Sequence, residues 1–168
     1  DVEELSTHGG SLRIYCCHEE DSTKSIQARV AELLHREEQE GFGQLEHYLS
    51  FSGRVIYVKR QLLLFLISTK EAGKTIAGYG APAKGNTLLN YCGIRTDFLD
   101  FTVDRSPHKQ GKFLPGTHIP ILSPDAIKLH KPDYLLILPW NIKDEVMEQM
   151  AHIREWGGKF VVPIPQLE

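Results

Sequence analysis

At 168 residues the chain is long enough to bury one sizeable core, and 41% hydrophobic with 24% charged residues is a globular composition. A formal net charge of −3, with Lys and Arg scattered, argues against a nucleic-acid binder, which needs a concentrated basic surface. No run approaches about 18 apolar residues, so no membrane span is expected.

Cys16, Cys17 and Cys92 form no CxxC pair and no zinc spacing. They are expected to be reduced, which fits a cytoplasmic protein. No signal peptide is visible, the first residue is not Met, and Leu167-Glu168 resembles a vector-derived tail. These features lead us to expect a piece of a longer protein, with residues 167–168 left out of the fold.

In chain order, residues 1–21 read as the remnant of a strand-bearing unit. Gly9-Gly10 supply a turn, after which Leu12, Ile14 and Cys16 alternate with Arg13 and Tyr15, the period of a half-buried strand. Residues 22–73 read as a helical linker or lid. Ser22 or Thr23 is the expected cap of a first helix that carries Ile26, Val30, Leu33 and Leu34 on one face. Gly41 and Gly43 break it. A second helix is expected over 44–70, with Leu45, Tyr48, Phe51, Val55, Val58, Leu62, Phe65 and Leu66 as its stripe and Gly73 beyond its end. A helical hairpin covering a sheet fits these two helices equally well.

Residues 74–166 alternate strands with helices. Strands are expected at 75–80, 98–104, 134–139 and 159–163, with short extended pieces over 112–121 around Pro115-Gly116. Helices are expected at 83–91, closed near Gly93, after Ser123-Pro124-Asp125 with Ser123 as cap, and at 142–156. The apolar run 134–139 suits a parallel strand covered on both faces. The pattern predicts an α/β unit: a Rossmann-like open parallel sheet with helices on both faces, preceded by the strand remnant and two long helices.

Gly78-Tyr79-Gly80-Ala81-Pro82-Ala83-Lys84-Gly85-Asn86 stands where the first strand of that unit turns into a helix. In a doubly wound sheet the ligand crevice lies beyond the carboxyl ends of the strands. Glycines let the backbone approach an anion, and N–H groups at the helix start point at a phosphate. Lys84 adds a positive charge and Asn86 a donor. Gly78-x-Gly80-x-x-Ala83 also fits the dinucleotide fingerprint, with Asp104 somewhat beyond the usual spacing of about 20 residues for a ribose-gripping acid. A nicotinamide cofactor or CoA is therefore a competing ligand. Strand–helix packing alone is a third account of the glycines.

The same segment resembles the GYGAPAKGN signature of the C-terminal domain of sugar C-methyltransferases, which methylate deoxy-ketosugars carried on a nucleoside diphosphate. His8-Gly9-Gly10-Ser11-Leu12-Arg13 is similar to that family's HGGSLR strand. Asp104-Arg105-Ser106-Pro107-His108-Lys109-Gln110-Gly111, with Pro115-Gly116 and Ile119-Pro120, resembles its D-x-x-P-x-K-Q-G stretch. Pro139-Trp140-Asn141 resembles its WN pair after a hydrophobic strand. The resemblance implies a base that removes a proton alpha to a ketone and an enolate that takes the methyl group of S-adenosylmethionine (SAM). It further implies that the SAM loop, the zinc cysteines and the main base lie upstream, in a SAM-binding domain that partners this one.

The expected ligand is then a nucleoside-diphosphate sugar, with neither SAM nor metal held by these residues, and with no membrane or nucleic-acid partner. Gly78, Tyr79, Gly80, Ala81, Lys84, Gly85 and Asn86 are expected to face the diphosphate or sugar, with Asp104, Lys109, Gln110, Trp140 and Asn141 around the same crevice. Trp140 is placed to stack on a base or sugar, or to cap the core. His8 is the candidate catalytic base of this chain, against a structural role in a strand turn. The non-catalytic alternative is a scaffold that docks the SAM domain.

Overall fold

The computed structural model describes all 168 residues and divides into two compact units, Asp1–Val55 and Ile56–Glu168. In the first unit, β1 (Val2–Leu5) pairs antiparallel with β2 (Ser11–Ile14), from Val2 opposite Ile14 to Leu5 opposite Ser11. His8 (φ 57°), Gly9 (φ 88°) and Gly10 (φ 124°) turn the chain between them. β2 stops before Cys16, and Leu12 and Ile14 are exposed rather than half-buried. α1 (Ala28–Gln39) begins well after the expected cap. The reason is local: Asp21 accepts hydrogen bonds from the backbone N–H (3.0 Å) and the hydroxyl of Thr23, so Thr23 closes a turn instead of starting a helix.

α2 (Leu45–Glu71) forms as the stripe predicts, but the compact units divide within it. Its later part is no separate linker: Leu62 and Leu66 are fully buried in the second unit's core beside Leu89, Ile94, Leu136 and Leu138. The compact units divide at 55/56, whereas the sequence places a boundary at 73/74; the buried residues of the helix start at Leu62.

The second unit holds a five-stranded sheet of β3 (Ile76–Tyr79), β4 (Thr102–Val103), β5 (Ile121–Leu122), β6 (Tyr134–Ile137) and β7 (Lys159–Val161), all parallel, in the order β5-β4-β3-β6-β7. Successive residues of a strand face opposite sides. Ile76, Leu136 and Leu138 accordingly meet α2 and α3 (Ala83–Cys92), while Ala77, Tyr79, Leu135 and Ile137 meet Ile127 of α4 (Asp125–His130) and Val146 of α5 (Lys143–Gln149). This two-sided burial is why β6 is a continuous apolar run. The Rossmann-like α/β sheet is thus present.

Several local expectations change. The second strand of the unit is short because the N–H groups of Phe98 and Leu99 donate to the carbonyl of Arg95, a turn. Ser123 lends α4 its carbonyl, to Ala126, and its hydroxyl makes no cap bond. The helix expected over 142–156 is broken at Met150 (φ −102°, ψ 18°), after which a 3₁₀ turn runs over Ala151–Trp156. A 3₁₀ turn aligns residues three apart, and it sets buried Met150 and Ile153 on one face. Leu167 packs on the core and Glu168 exchanges two backbone hydrogen bonds with Val162, so both belong to the fold. Gly93 ends α3 in the left-handed region (φ 75°), as expected. All three cysteines are unpaired. No helix is long and apolar enough to cross a membrane.

Candidate functional site

The chain leaves β3 toward β4 and β5 on one side and returns to β6 and β7 on the other, so strand order reverses between β3 and β6. A crevice opens at such a reversal, beyond the carboxyl ends of the strands. Gly80 makes the two loops meet there. Its φ is +90°, and a Cβ on it would stand 2.7 Å from Cδ of Pro139, the residue that follows β6 and Leu138. Gly78 lets Thr102 approach, since a Cβ would lie 2.7 Å from its Oγ1; that hydroxyl donates to the Gly80 carbonyl at 2.8 Å. At Gly85 a Cβ would lie 2.7 Å from Cβ of Leu138, so α3 sits directly on the end of β6.

Asp104, just past β4, organises the turn. Its Oδ2 accepts from the Ala81 N–H (2.8 Å) and from Nζ of Lys109 (3.1 Å), and its Oδ1 from the Ser106 N–H (2.9 Å). Lys109 also donates to the Ala81 carbonyl (3.1 Å), and Gln110 donates its amide to the Asp104 carbonyl (2.9 Å). Burial raises the Asp104 carboxyl, but the N–H groups of Ser106 and Ala81 and the Lys109 ammonium outweigh it and hold the group below its ordinary value. These bonds fill three of the roughly four acceptor positions of a carboxylate. An adenosine ribose, whether of NAD or of SAM, needs that acid free for its hydroxyls. The residues present do not fit such a grip.

Above the turn, Lys84 in the first turn of α3 donates to Oδ1 of Asn141 and lies 4.8 Å from the ring centre of Trp140. One ammonium thus bridges the loops after β3 and β6, held by a cation–π contact and a charge-assisted hydrogen bond. Asn86 gives its backbone N–H to Pro82 (3.0 Å), while its Oδ1 is buried without a partner. Tyr79, at the end of β3, donates its hydroxyl to Oε1 of Gln149 (2.8 Å), and burial pushes the phenol up.

The structure therefore brings Gly78, Tyr79, Gly80, Ala81, Lys84, Gly85, Asn86, Asp104, Lys109, Gln110, Trp140 and Asn141 to the ends of β3, β4 and β6. His8 belongs to the first unit, in the exposed turn between β1 and β2. A cleft of about 240 Å³ adjoins the cluster, lined by Tyr79, Gly80, Asp104 and Lys109 together with Ile142, Glu145, Val146 and Gln149. The last four are absent from the residues expected from the sequence. Their signal was present: positions i, i+3, i+4 and i+7 form one face of a helix.

The model of the C-methyltransferase C-terminal domain family matches residues 6–165. The C-methyltransferase NovU of Streptomyces niveus is 38% identical over 166 residues, covering 99% of this chain and 39% of that protein. The chain thus spans well under half the length of this relative. Among solved structures, UDP-D-quinovosamine 4-dehydrogenase from Vibrio fischeri aligns with 55% of this chain and 79% of its own, at 22% identity and a TM-score of 0.41. On the family match, which takes in nearly the whole chain, the chain belongs to the C-methyltransferase C-terminal domain family.

Proposed function

We propose that this chain supplies the acceptor site of a SAM-dependent C-methyltransferase whose substrate is a nucleoside-diphosphate keto-deoxysugar. The observation that carries this is the Lys84–Trp140–Asn141 cluster at the reversal between β3 and β6. Its ammonium is one donor for a diphosphate, and Lys109, tethered to the same turn, is a second. Trp140 and Asn141 offer an aromatic face and an amide to a sugar ring. Gly78, Gly80 and Gly85 act indirectly, by letting the loops close up on one another.

In the whole enzyme SAM supplies the methyl group from its own domain, the proposed partner of this one. This chain's share is positioning. Fixing the sugar so that its alpha carbon meets the methyl group replaces a bimolecular encounter with a near-attack geometry. His8 is the base candidate of this chain and needs demonstrated reach to the alpha proton; the main base is assigned to the rest of the enzyme. A cytoplasmic location accords with the three free cysteines.

The competing ligands are NAD and CoA, and the engagement of Asp104 by Ala81, Ser106 and Lys109 counts against the first. Calorimetric titration of the chain with a dTDP-sugar, NAD and CoA tests the assignment. Heat is expected with the dTDP-sugar and not with NAD or CoA. Micromolar binding of NAD with no response to the dTDP-sugar contradicts it, and silence toward all three favours a docking scaffold.

A further inference from the structure

Cys16 and Cys17 take no part in the proposed acceptor site, and both are exposed while Cys92 is buried. Backbone pairing of the hairpin ends one residue before them. The Tyr15 N–H donates to the Asp1 carbonyl at 2.8 Å, and the Tyr15 carbonyl accepts from the Asp1 amino group at 3.0 Å. In a continuing strand, two successive side chains would point to opposite faces. β2 stops at Ile14, however, and Cys16 and Cys17 both line a single cavity of about 530 Å³. Release from the strand thus sets two thiols around the same space.

The walls narrow what that space takes. Tyr15 and Ile26, both exposed, line it with apolar surface. Its polar groups are largely engaged already: Glu3 accepts from the Tyr15 hydroxyl (2.8 Å) and from Arg13 (3.2 Å), and the Thr23 hydroxyl donates to Asp21. The sulfurs remain, and two sulfurs on adjacent residues suit few partners. Neighbouring Cα atoms lie about 3.8 Å apart across a trans peptide. An ordinary disulfide spans about 4.4–6.8 Å, so a direct bond between these two thiols would be strained and readily reduced. A structural zinc needs four ligands, and no cluster of three or more His, Cys, Asp or Glu side chains forms in the chain. A soft centre that asks for only two sulfurs meets neither obstacle, because it inserts between them and needs no third side chain.

We propose that Cys16 and Cys17 form a vicinal-dithiol site for a soft, thiophilic electrophile with an apolar substituent, the class to which organic trivalent arsenicals belong. With an arsenoxide the As=O bond breaks and two As–S bonds form. The two thiol protons leave with the oxygen as water; arsenic stays trivalent and neither sulfur is oxidised. The substituent lies against Tyr15 and Ile26, in a cavity within the range of about 300–1,000 Å³ that holds small ligands. The second As–S bond closes within one chain, so the pair binds far more tightly than either thiol alone.

The test titrates the reduced 168-residue chain with phenylarsine oxide and reads the adduct by intact mass. One arsenical per chain is expected, released by 2,3-dimercaptopropanol and retained against a monothiol at the same thiol concentration. Cys16→Ser and Cys17→Ser should each weaken binding at least about a hundredfold, with urea midpoints equal to wild type because both side chains are exposed. Adjacent cysteines in a flexible chain also chelate arsenic, so the affinity of the folded chain is compared with that of the urea-unfolded chain. A preformed cavity should bind at least about tenfold more tightly, since the unfolded chain must order the pair and its apolar neighbours first. Absence of an adduct, full affinity in either serine variant, or equal affinity in the folded and unfolded chains would overturn the site.

Discussion

The backbone N–H of Ala81 donates to the carboxylate of Asp104 at 2.8 Å, so the glycine turn is held by an acid of its own chain. In a dinucleotide-binding sheet the corresponding acid faces a ribose. Here it faces inward and brings Lys109 with it. The turn is therefore preorganised before any ligand arrives, with Lys109 fixed beside it.

Asp104→Ala should destabilise the second unit. The side chain is 13% exposed, and its loss leaves the Ala81 and Ser106 N–H groups and a lysine without their partner. Orphaned buried donors cost about 1–3 kcal/mol, and these part-buried ones fall toward the lower end of that range. A lowered urea midpoint at neutral pH checks this, and a midpoint equal to wild type contradicts the clamp.

Gly80→Ala meets two obstacles at once: a backbone φ of +90° and a Cβ 2.7 Å from the Pro139 ring. Strain at such a position costs on the order of 1–3 kcal/mol. Urea denaturation should show the loss, with weakened nucleotide binding because the loops after β3 and β6 are forced apart.

Leu66→Ala tests where the second unit begins. Leu66 is fully buried among sheet residues although it lies on the long helix. Truncation of such a leucine costs about 2–5 kcal/mol. The global unfolding transition of the second unit should shift by that amount; a change of a few tenths would make the helix a separate linker after all.

Asp133 gives the fold a defined acid sensitivity. Its carboxylate accepts from the N–H (2.9 Å) and hydroxyl (3.0 Å) of Thr75 and from Lys74 (2.9 Å), tying the start of β6 to the start of β3. The Thr75 N–H foremost, then Lys74, lower its pKa from 3.8 to about 2. The unfolded chain takes up this proton near the ordinary value while the folded chain resists it. Stability contributed above that value is thus lost as pH falls toward about 2. Between those two pH values, the urea midpoint of Asp133→Asn should fall less steeply than that of wild type.

Much of this architecture is legible in the sequence because it follows from periodicity and backbone chemistry. The apolar run of β6, the turn at Gly80 and the left-handed stop at Gly93 are local necessities. What sequence leaves undecided is where a polar group points. Thr23 has the chemistry of a helix cap but closes a turn with Asp21, and Asp104 has the spacing of a ribose ligand but holds Ala81. Glu145 and Gln149 are unremarkable on a surface helix until the reversal between β3 and β6 sets them beside Tyr79. Long-range placement decides each of these cases, and no local rule contains it.

Lys84 is proposed to hold the diphosphate of a sugar nucleotide. The most direct measurement is the calorimetric affinity of wild type and Lys84→Ala for the same dTDP-sugar. A charge-assisted hydrogen bond is worth about 1.5–3 kcal/mol, so a loss of roughly tenfold to a hundredfold is predicted. Equal affinities in the two proteins would contradict the assignment.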